Sequence, residues 1–171
     1  MNNMMLPPIN FKEWIDNNRN LLKPPVCNKV IYENTELIIM VVGGPNTRKD
    51  YHIDEGEEFF YQIEGKMILR IMEAGKPKDI QINEGEIFLL PPKVPHSPQR
   101  FENTVGLVIE RKRRKNELDG FQWYCDQCNT LLYEKKFTLT DIVKQLPPIF
   151  DSFWIDENAR TCSSCGEMLE K

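Results

Sequence analysis

Two histidines occur in the 171 residues, and each stands among groups able to hold a metal. His52 lies in Asp50-Tyr51-His52-Ile53-Asp54-Glu55-Gly56-Glu57-Glu58, and His96 follows Pro91-Pro92-Lys93-Val94-Pro95. Two imidazoles and the Glu58 carboxylate form the 2-His-1-carboxylate set that suits non-haem Fe(II) and leaves coordination positions open. With neutral rings the centre keeps a residual positive charge. It attracts an anionic chelating substrate, and a neighbouring position can accept O2.

Cysteine supplies a second group. Four of the five cysteines form the pairs Cys125/Cys128 and Cys162/Cys165, and Cys27 stands alone. Two C-x-x-C knuckles can present four thiolates tetrahedrally to Zn or Fe. A filled thiolate shell has no open position, so the site is expected to be structural. Redox-active pairs are the competing reading, but neither pair opens a convincing helix after a strand. Fe and Zn accept the same sulfur set, and spacing does not choose between them. Cys27 reads as a small buried hydrophobe or a pocket neighbour.

The elements that must position these groups are mostly strands. Pro7-Pro8 precedes a stretch in which Asn10 and Glu13 have capping-box spacing, predicting a short helix with Phe11, Trp14 and Ile15 on its buried side. Pro24-Pro25 ends it. Strand patterns follow at 30–32, 37–42, 58–63, 67–72, 79–82, 87–90 and 105–110, separated by turn-forming stretches such as Glu64-Gly65-Lys66 and Asn83-Glu84-Gly85. Short strands without crossover helices predict an antiparallel sandwich or barrel. His52 then sits at the mouth of one strand and Glu58 at the start of the next. His96 follows the strand at 87–90 through prolines that stiffen its approach. In a small barrel the three can converge from different strands.

Beyond Glu117 the pattern changes. Thr138 to Leu146 reads as a short capped helix stopped by Pro147-Pro148, between the two cysteine pairs. The expected organisation is a catalytic domain with its N-terminal helix over residues 1–117 and a metal-knuckle extension over 118–171 packed on it. Charged residues make up 28% and the formal net charge is -4, an ordinary balance that gives no reason to expect a nucleic acid partner. The basic run Arg111-Lys112-Arg113-Arg114-Lys115 is expected to be a solvated stretch or a subunit rim. No window is apolar enough for a membrane span and no secretory pattern opens the chain. A cytoplasmic protein is expected, and there paired cysteines favour metal thiolates over disulfides.

The detailed pattern goes further. His52-x-Asp54-x-x-x-Glu58 with Gly65, and Gly85 through Pro91 to His96, resemble the two cupin motifs. Asp54 stands where many cupins carry another histidine, and Lys93 replaces a common glycine, so Asp54 is not expected to be a ligand. Gly43-Gly44-Pro45-Asn46-x-Arg48-x-Asp50-Tyr51-His52, Glu57-Glu58-Phe59-Phe60-Tyr61-Gln62, His96-Ser97-Pro98-Gln99-Arg100, Leu107-Val108-Ile109-Glu110-Arg111 and Leu118-Asp119-Gly120-Phe121-x-Trp123-Tyr124-Cys125 resemble the 3-hydroxyanthranilate 3,4-dioxygenase family. The similarity runs from Phe11 to Gly166.

The resemblance implies an all-β fold, the cupin double-stranded β-helix or jelly-roll barrel, with short peripheral helices and a C-terminal four-cysteine metal-binding appendage. It implies Fe(II) on His52, Glu58 and His96, and O2-dependent ring opening of 3-hydroxyanthranilate to 2-amino-3-carboxymuconate 6-semialdehyde, a precursor of quinolinate and thence of NAD. Arg48, Glu58, Arg100 and Glu110 become catalytic residues, and the same four with Asn28 become substrate contacts. Arg100 can offer a planar fork to the substrate carboxylate. Arg48 can support that carboxylate or face O2, Glu110 can take the substrate's acidic proton or orient an arginine, and Asp50 can orient a ligand or Arg48. The family further implies rubredoxin-type iron on Cys125, Cys128, Cys162 and Cys165, with Zn as the alternative, and a homodimer. Another cupin dioxygenase or isomerase would keep the triad without needing Arg48, Arg100 and Glu110 together. A noncatalytic metal-stabilised module would consume no O2.

Overall fold

The computed structural model describes residues 6–25, 27–140 and 142–171, and its first element is the expected helix, α1 (Phe11–Asn18). Asn10 caps it, Oδ1 accepting the Glu13 N–H at 3.1 Å. Ile15 is buried, Phe11 and Trp14 are half-buried, and a 3-10 turn (Arg19–Leu22) carries Leu22 into the same apolar cluster with Val41 and Val105. Gly43 permits this contact, because a Cβ there would lie 1.9 Å from the Leu22 carbonyl oxygen.

Among the described residues, eleven strands form two antiparallel sheets. The five-stranded sheet runs β1 (Asn28–Val30), β2 (Leu37–Gly43), β9 (Val105–Arg111), β4 (Glu58–Glu64), β7 (Ile87–Leu90). The six-stranded sheet runs β11 (Leu131–Phe137), β10 (Asp119–Tyr124), β3 (Asp50–Ile53), β8 (His96–Arg100), β5 (Met67–Glu73), β6 (Lys76–Ile82). Phe60, Leu90 and Val108 of the first sheet pack with Met67, Leu69, Ile71 and Ile82 of the second, so the main core lies between the layers. On β4, Glu58, Phe60 and Gln62 are buried while Phe59, Tyr61 and Ile63 are half-buried, the alternation a sheet imposes.

The expected all-β jelly-roll barrel does not form. Both sheets are open: β1 and β7 end one, β6 and β11 end the other, and among the described residues no ladder joins them. The edges show why. β1 spans three residues and β7 four, edges that offer little backbone for a further ladder, and β6 exposes Lys76, Pro77, Lys78, Asp79 and Gln81. Charge and proline on an edge strand oppose further pairing.

The class is also mixed rather than all-β. The longest element is a helix, α2 (Ile142–Ile155), followed by α3 (Glu157–Arg160). α2 runs through Pro147 and Pro148, where the sequence predicts a stop. Each interior proline costs about 3 kcal/mol or more. Leu146, Ile149, Phe150, Phe153 and Trp154 offset this by packing on Phe121, Trp123, Tyr133 and Phe137, with the Phe153 ring stacked on Trp123 at 4.3 Å. Full burial of one such side chain contributes about 1.5–3 kcal/mol. Asp141, within the expected helix, lies outside the described residues. Among those described, no helix is long and apolar enough to cross a membrane.

Candidate active site

Strands from both sheets bring the three expected ligands together. His52 of β3 and His96 of β8 are directly opposed, and Glu58 opens β4 in the facing sheet. Glu58 Oε1 lies 3.1 Å from His96 Nε2 and 3.4 Å from His52 Nδ1. The other nitrogen of each ring is occupied: His96 Nδ1 donates to the Val94 carbonyl at 3.0 Å, and His52 Nε2 to Asp119 Oδ1 at 2.7 Å. A ring that donates from one nitrogen presents a lone pair from the other. His52 Nδ1, His96 Nε2 and a Glu58 oxygen lie within 4.8 Å of one another, so position and donor chemistry both fit Fe(II).

The electrostatics match a cation site. Burial disfavours charge on His52, yet hydrogen bonds to Asp119 and Glu58 prevail and hold its proton up to about 10. Burial likewise pushes Glu58 upward, but His96 and His52 hold its carboxyl well below the usual range. Loading a metal here therefore releases a proton.

The triad opens on a cavity of about 200 Å³. Met40, Val42, Phe60, Val108, Phe121, Phe137, Leu139 and Leu146 form its apolar walls, and Asn28, Arg48, Arg100 and Glu110 join the ligands as polar lining. Arg48 is paired with Asp50, its Nε donating to Oδ2 at 3.1 Å. Arg100 differs. It is only 3% exposed, its Nε has no partner among the described residues, and its Nη1 reaches Gln62 Oε1 at 3.5 Å. Burial and the repulsion of Arg48 push this guanidinium down to about 10. Gly106 makes room for it, since a Cβ there would sit 2.6 Å from Nη1.

Glu110 faces Glu58 across the β4–β9 ladder. Burial and the Glu58 charge push its carboxyl up, against the pull of Arg113. Arg113 corrects the expectation of a uniformly solvated basic run, its side chain being 7% exposed with Nη1 2.7 Å from Glu110 Oε2. Its Nη2 lies 2.5 Å from Asp119 Oδ1 and 3.0 Å from Asp54 Oδ2, the latter without hydrogen-bond alignment. Three buried carboxylates draw this one arginine inward, while Arg111 pairs with Glu117 at 2.6 Å. Asp119, Gln62 and Gly106 carry no local signal because the groups they meet are distant in the chain, and Arg113, whose partners Glu110 and Asp119 are three and six residues away, is masked by the basic run around it. Asp119 and His52 are 67 residues apart.

The four paired cysteines also converge, with Sγ atoms 3.6 Å apart for Cys125 and Cys165 and 3.5 Å for Cys128 and Cys162. Disulfide bonding requires about 2.05 Å, whereas four sulfurs at about 2.3 Å from a tetrahedral ion are spaced by about 3.8 Å. Each knuckle turns on a left-handed residue after its second cysteine, Asn129 (φ 62°) and Gly166 (φ 79°), whose N–H returns to the first cysteine's carbonyl at 2.9 Å. Although burial acts the other way, backbone N–H groups of Cys165 and Ser164 hold the Cys162 thiol down to about 6.

Residues 3–154 match the family model described as 3-hydroxyanthranilic acid dioxygenase. A 3-hydroxyanthranilate 3,4-dioxygenase of Xanthomonas euvesicatoria is 57% identical over 165 residues, covering 96% of this chain and 93% of the relative. Proteins of the same name from Jannaschia and Shewanella woodyi are 54% and 52% identical, each over 95% of this chain and over 91% and 87% of their own lengths. A solved structure from Neisseria meningitidis covers 61% of the chain at 20% identity and a TM-score of 0.49, a likeness too loose to bear on the site.

Proposed function

The chain belongs to the 3-hydroxyanthranilic acid dioxygenase family, and from that premise we propose how its residues divide the work of the reaction. The protein is an Fe(II)-dependent dioxygenase that opens the ring of 3-hydroxyanthranilate on the route to quinolinate. Both atoms of O2 enter the product, 2-amino-3-carboxymuconate 6-semialdehyde, so the balance requires no external reductant. The observation that carries the assignment of residues is Arg100, a buried cation that has no carboxylate hydrogen-bond partner among the described residues and lies in the cavity that holds the triad.

His52, Glu58 and His96 hold the iron. When bound, Fe(II) supplies electrons and open positions at which an aminophenol and O2 can meet. Arg100 receives the substrate carboxylate through its planar fork, offsetting the cost of burying an unpaired charge. Arg48, kept in place by Asp50, supports that carboxylate or the O2 side, and Asn28 completes the polar rim. Glu110 takes the proton of the substrate hydroxyl. Its Oε2 is engaged by Arg113, which leaves Oε1 to meet the substrate, and its raised proton affinity suits a base. The apolar walls hold the ring and exclude water.

The finer assignments follow the same reading. The four-cysteine cluster binds Fe or Zn as a structural ion, within a C-terminal extension (118–171) packed on the catalytic unit (1–117). A reducing cytoplasm is consistent with its free thiols. A homodimer would cover Ile87 and Leu89 on edge strand β7 and Leu37 on β2, which are 65%, 53% and 46% exposed.

The discriminating substrate is 2-aminophenol, which keeps the adjacent hydroxyl and amine but lacks the carboxylate. The enzyme should favour 3-hydroxyanthranilate by at least about 100-fold in kcat/KM, the scale of a buried charge-assisted pair, and Arg100→Met should erase that preference. Equal turnover of both substrates by the unaltered enzyme would overturn the assignment of Arg100.

A further inference from the structure

The two ligand histidines are held by different means. His96 finds its orienting acceptor locally, in the Val94 carbonyl two residues away. Among the described residues His52 has no such local acceptor, although it is the more exposed ring, at 17% against 3%. Its Nε2 relies on Asp119, delivered by β10 and itself fully buried. A half-turn of the His52 ring would put Cδ2 in place of Nδ1 toward Glu58 and Cε1 in place of Nε2 toward Asp119, and the 2.7 Å bond to Asp119 selects against it.

Asp119 is itself fixed. Arg113 Nε donates to both of its oxygens, at 2.8 and 3.0 Å, and Nη2 reaches Oδ1 at 2.5 Å. The same guanidinium holds Glu110 through Nη1 at 2.7 Å. One arginine thus ties the carboxylate behind a ligand to the carboxylate assigned to take the substrate proton.

We propose that Asp119 is a positioning residue for the catalytic metal, fixing His52 with Nδ1 toward Glu58, and that Arg113 locks Asp119 in that pose. The inference rests on the triad being the iron site. It makes the first strand of the C-terminal segment, β10, part of the metal centre, because the orienting carboxylate enters on the strand that ends at the first cysteine knuckle. If Asp119 served only to neutralise Arg113, its loss would lower stability and leave metal affinity unchanged.

The test measures Co(II) binding at the triad of anaerobic protein whose four-cysteine site is already filled with Zn. Asp119→Ala and Asp119→Asn are compared with the unaltered chain and with His96→Ala, using a competing chelator and the visible Co(II) bands. Loss of an orienting partner weakens metal binding by about 10–100-fold. The expected result is a loss of this size in Asp119→Ala with altered Co(II) bands, a smaller loss in Asp119→Asn, whose amide oxygen can still accept from His52, and partial recovery of Asp119→Ala by added formate. If Asp119→Ala does not fold, the near-isosteric Asp119→Asn decides. Folded variants that bind Co(II) within about twofold of the unaltered chain, well under the loss expected of an orienting partner, with unchanged bands, would overturn the inference alone. Failure of the unaltered chain to bind Co(II) more tightly than His96→Ala would overturn the triad as well.

Discussion

His52 and His96 are cross-strand partners, the pair in register between β3 and β8, with their rings edge to face at 5.2 Å. Side chains alternate faces along a strand, so a slip of one residue would turn either ligand out of the cavity. Neighbouring pairs Ile71 with His96 and Phe121 with His52 pin both strands from outside.

His96→Ala should therefore lose the triad metal and all measurable ring opening while keeping the metal on the four cysteines. Metal analysis of the purified variant checks this: the metal content should fall by one ion per chain. Loss of both ions would instead mean that the two sites do not fold independently.

Replacing a knuckle ligand gives the complementary result. If the four cysteines hold a structural ion as proposed, Cys162→Ser leaves it short of one thiolate and loosens the segment carrying Leu169, which packs with Phe153 and Trp123. Thermal unfolding should shift down by a margin worth several kcal/mol, since structural metal binding is folding free energy. Below its new Tm, the variant should still open the ring when supplied with Fe(II). Full stability without the second ion would contradict a structural role.

Gly106→Ala places a Cβ 2.6 Å from Arg100 Nη1 and 2.9 Å from Gln62 Oε1. The guanidinium must shift away from the position proposed to receive the carboxylate. KM for 3-hydroxyanthranilate should rise by about tenfold or more, the scale of one charge-assisted hydrogen bond, with little change for 2-aminophenol. A parallel rise for both substrates in steady-state kinetics would show a general distortion of the cavity instead.

Lys93 stands in place of an expected glycine and adopts φ 63°, while its N–H donates to the Asp54 carbonyl at 2.8 Å. A left-handed lysine costs roughly 1–2 kcal/mol, of which glycine's greater unfolded freedom returns about 0.5–1 kcal/mol. The exposed ion pair with Glu55 offsets little. Lys93→Gly should raise the urea midpoint by the equivalent of about 0.5 kcal/mol, the difference between those two terms, and a lowered midpoint would contradict the strain.

What the sequence made legible follows from the range of its signals. The Asn10 cap, β2, β4, β5, β7 and β9 declare themselves through local pattern, and the cysteine pairs through spacing. β8 hides because it contains Pro98, tolerated because β8 pairs with β3 only at His96, so that among the described residues Pro98 has a ladder neighbour on the β5 side alone. α2 hides behind two prolines whose cost is met by aromatic packing on β10 and β11. Sheet closure is a property of edges, and no local pattern reports whether a short or charged edge strand finds another neighbour. In the site, His52 and His96 stand out as the two histidines of the chain, and Glu58 through its spacing from His52 in the motif. Asp119 and Arg113 do not, because their meaning lies in contacts that only the assembled sheets create.

Ring opening by this enzyme can be followed by supplying the iron-loaded protein with 3-hydroxyanthranilate and isotopically labelled O2. One O2 should be consumed per substrate, with both labelled atoms in the ring-opened semialdehyde before it closes to quinolinate. No O2 uptake with iron verified on His52, Glu58 and His96, or a product that takes one oxygen from water at the moment of cleavage, would contradict this chemistry.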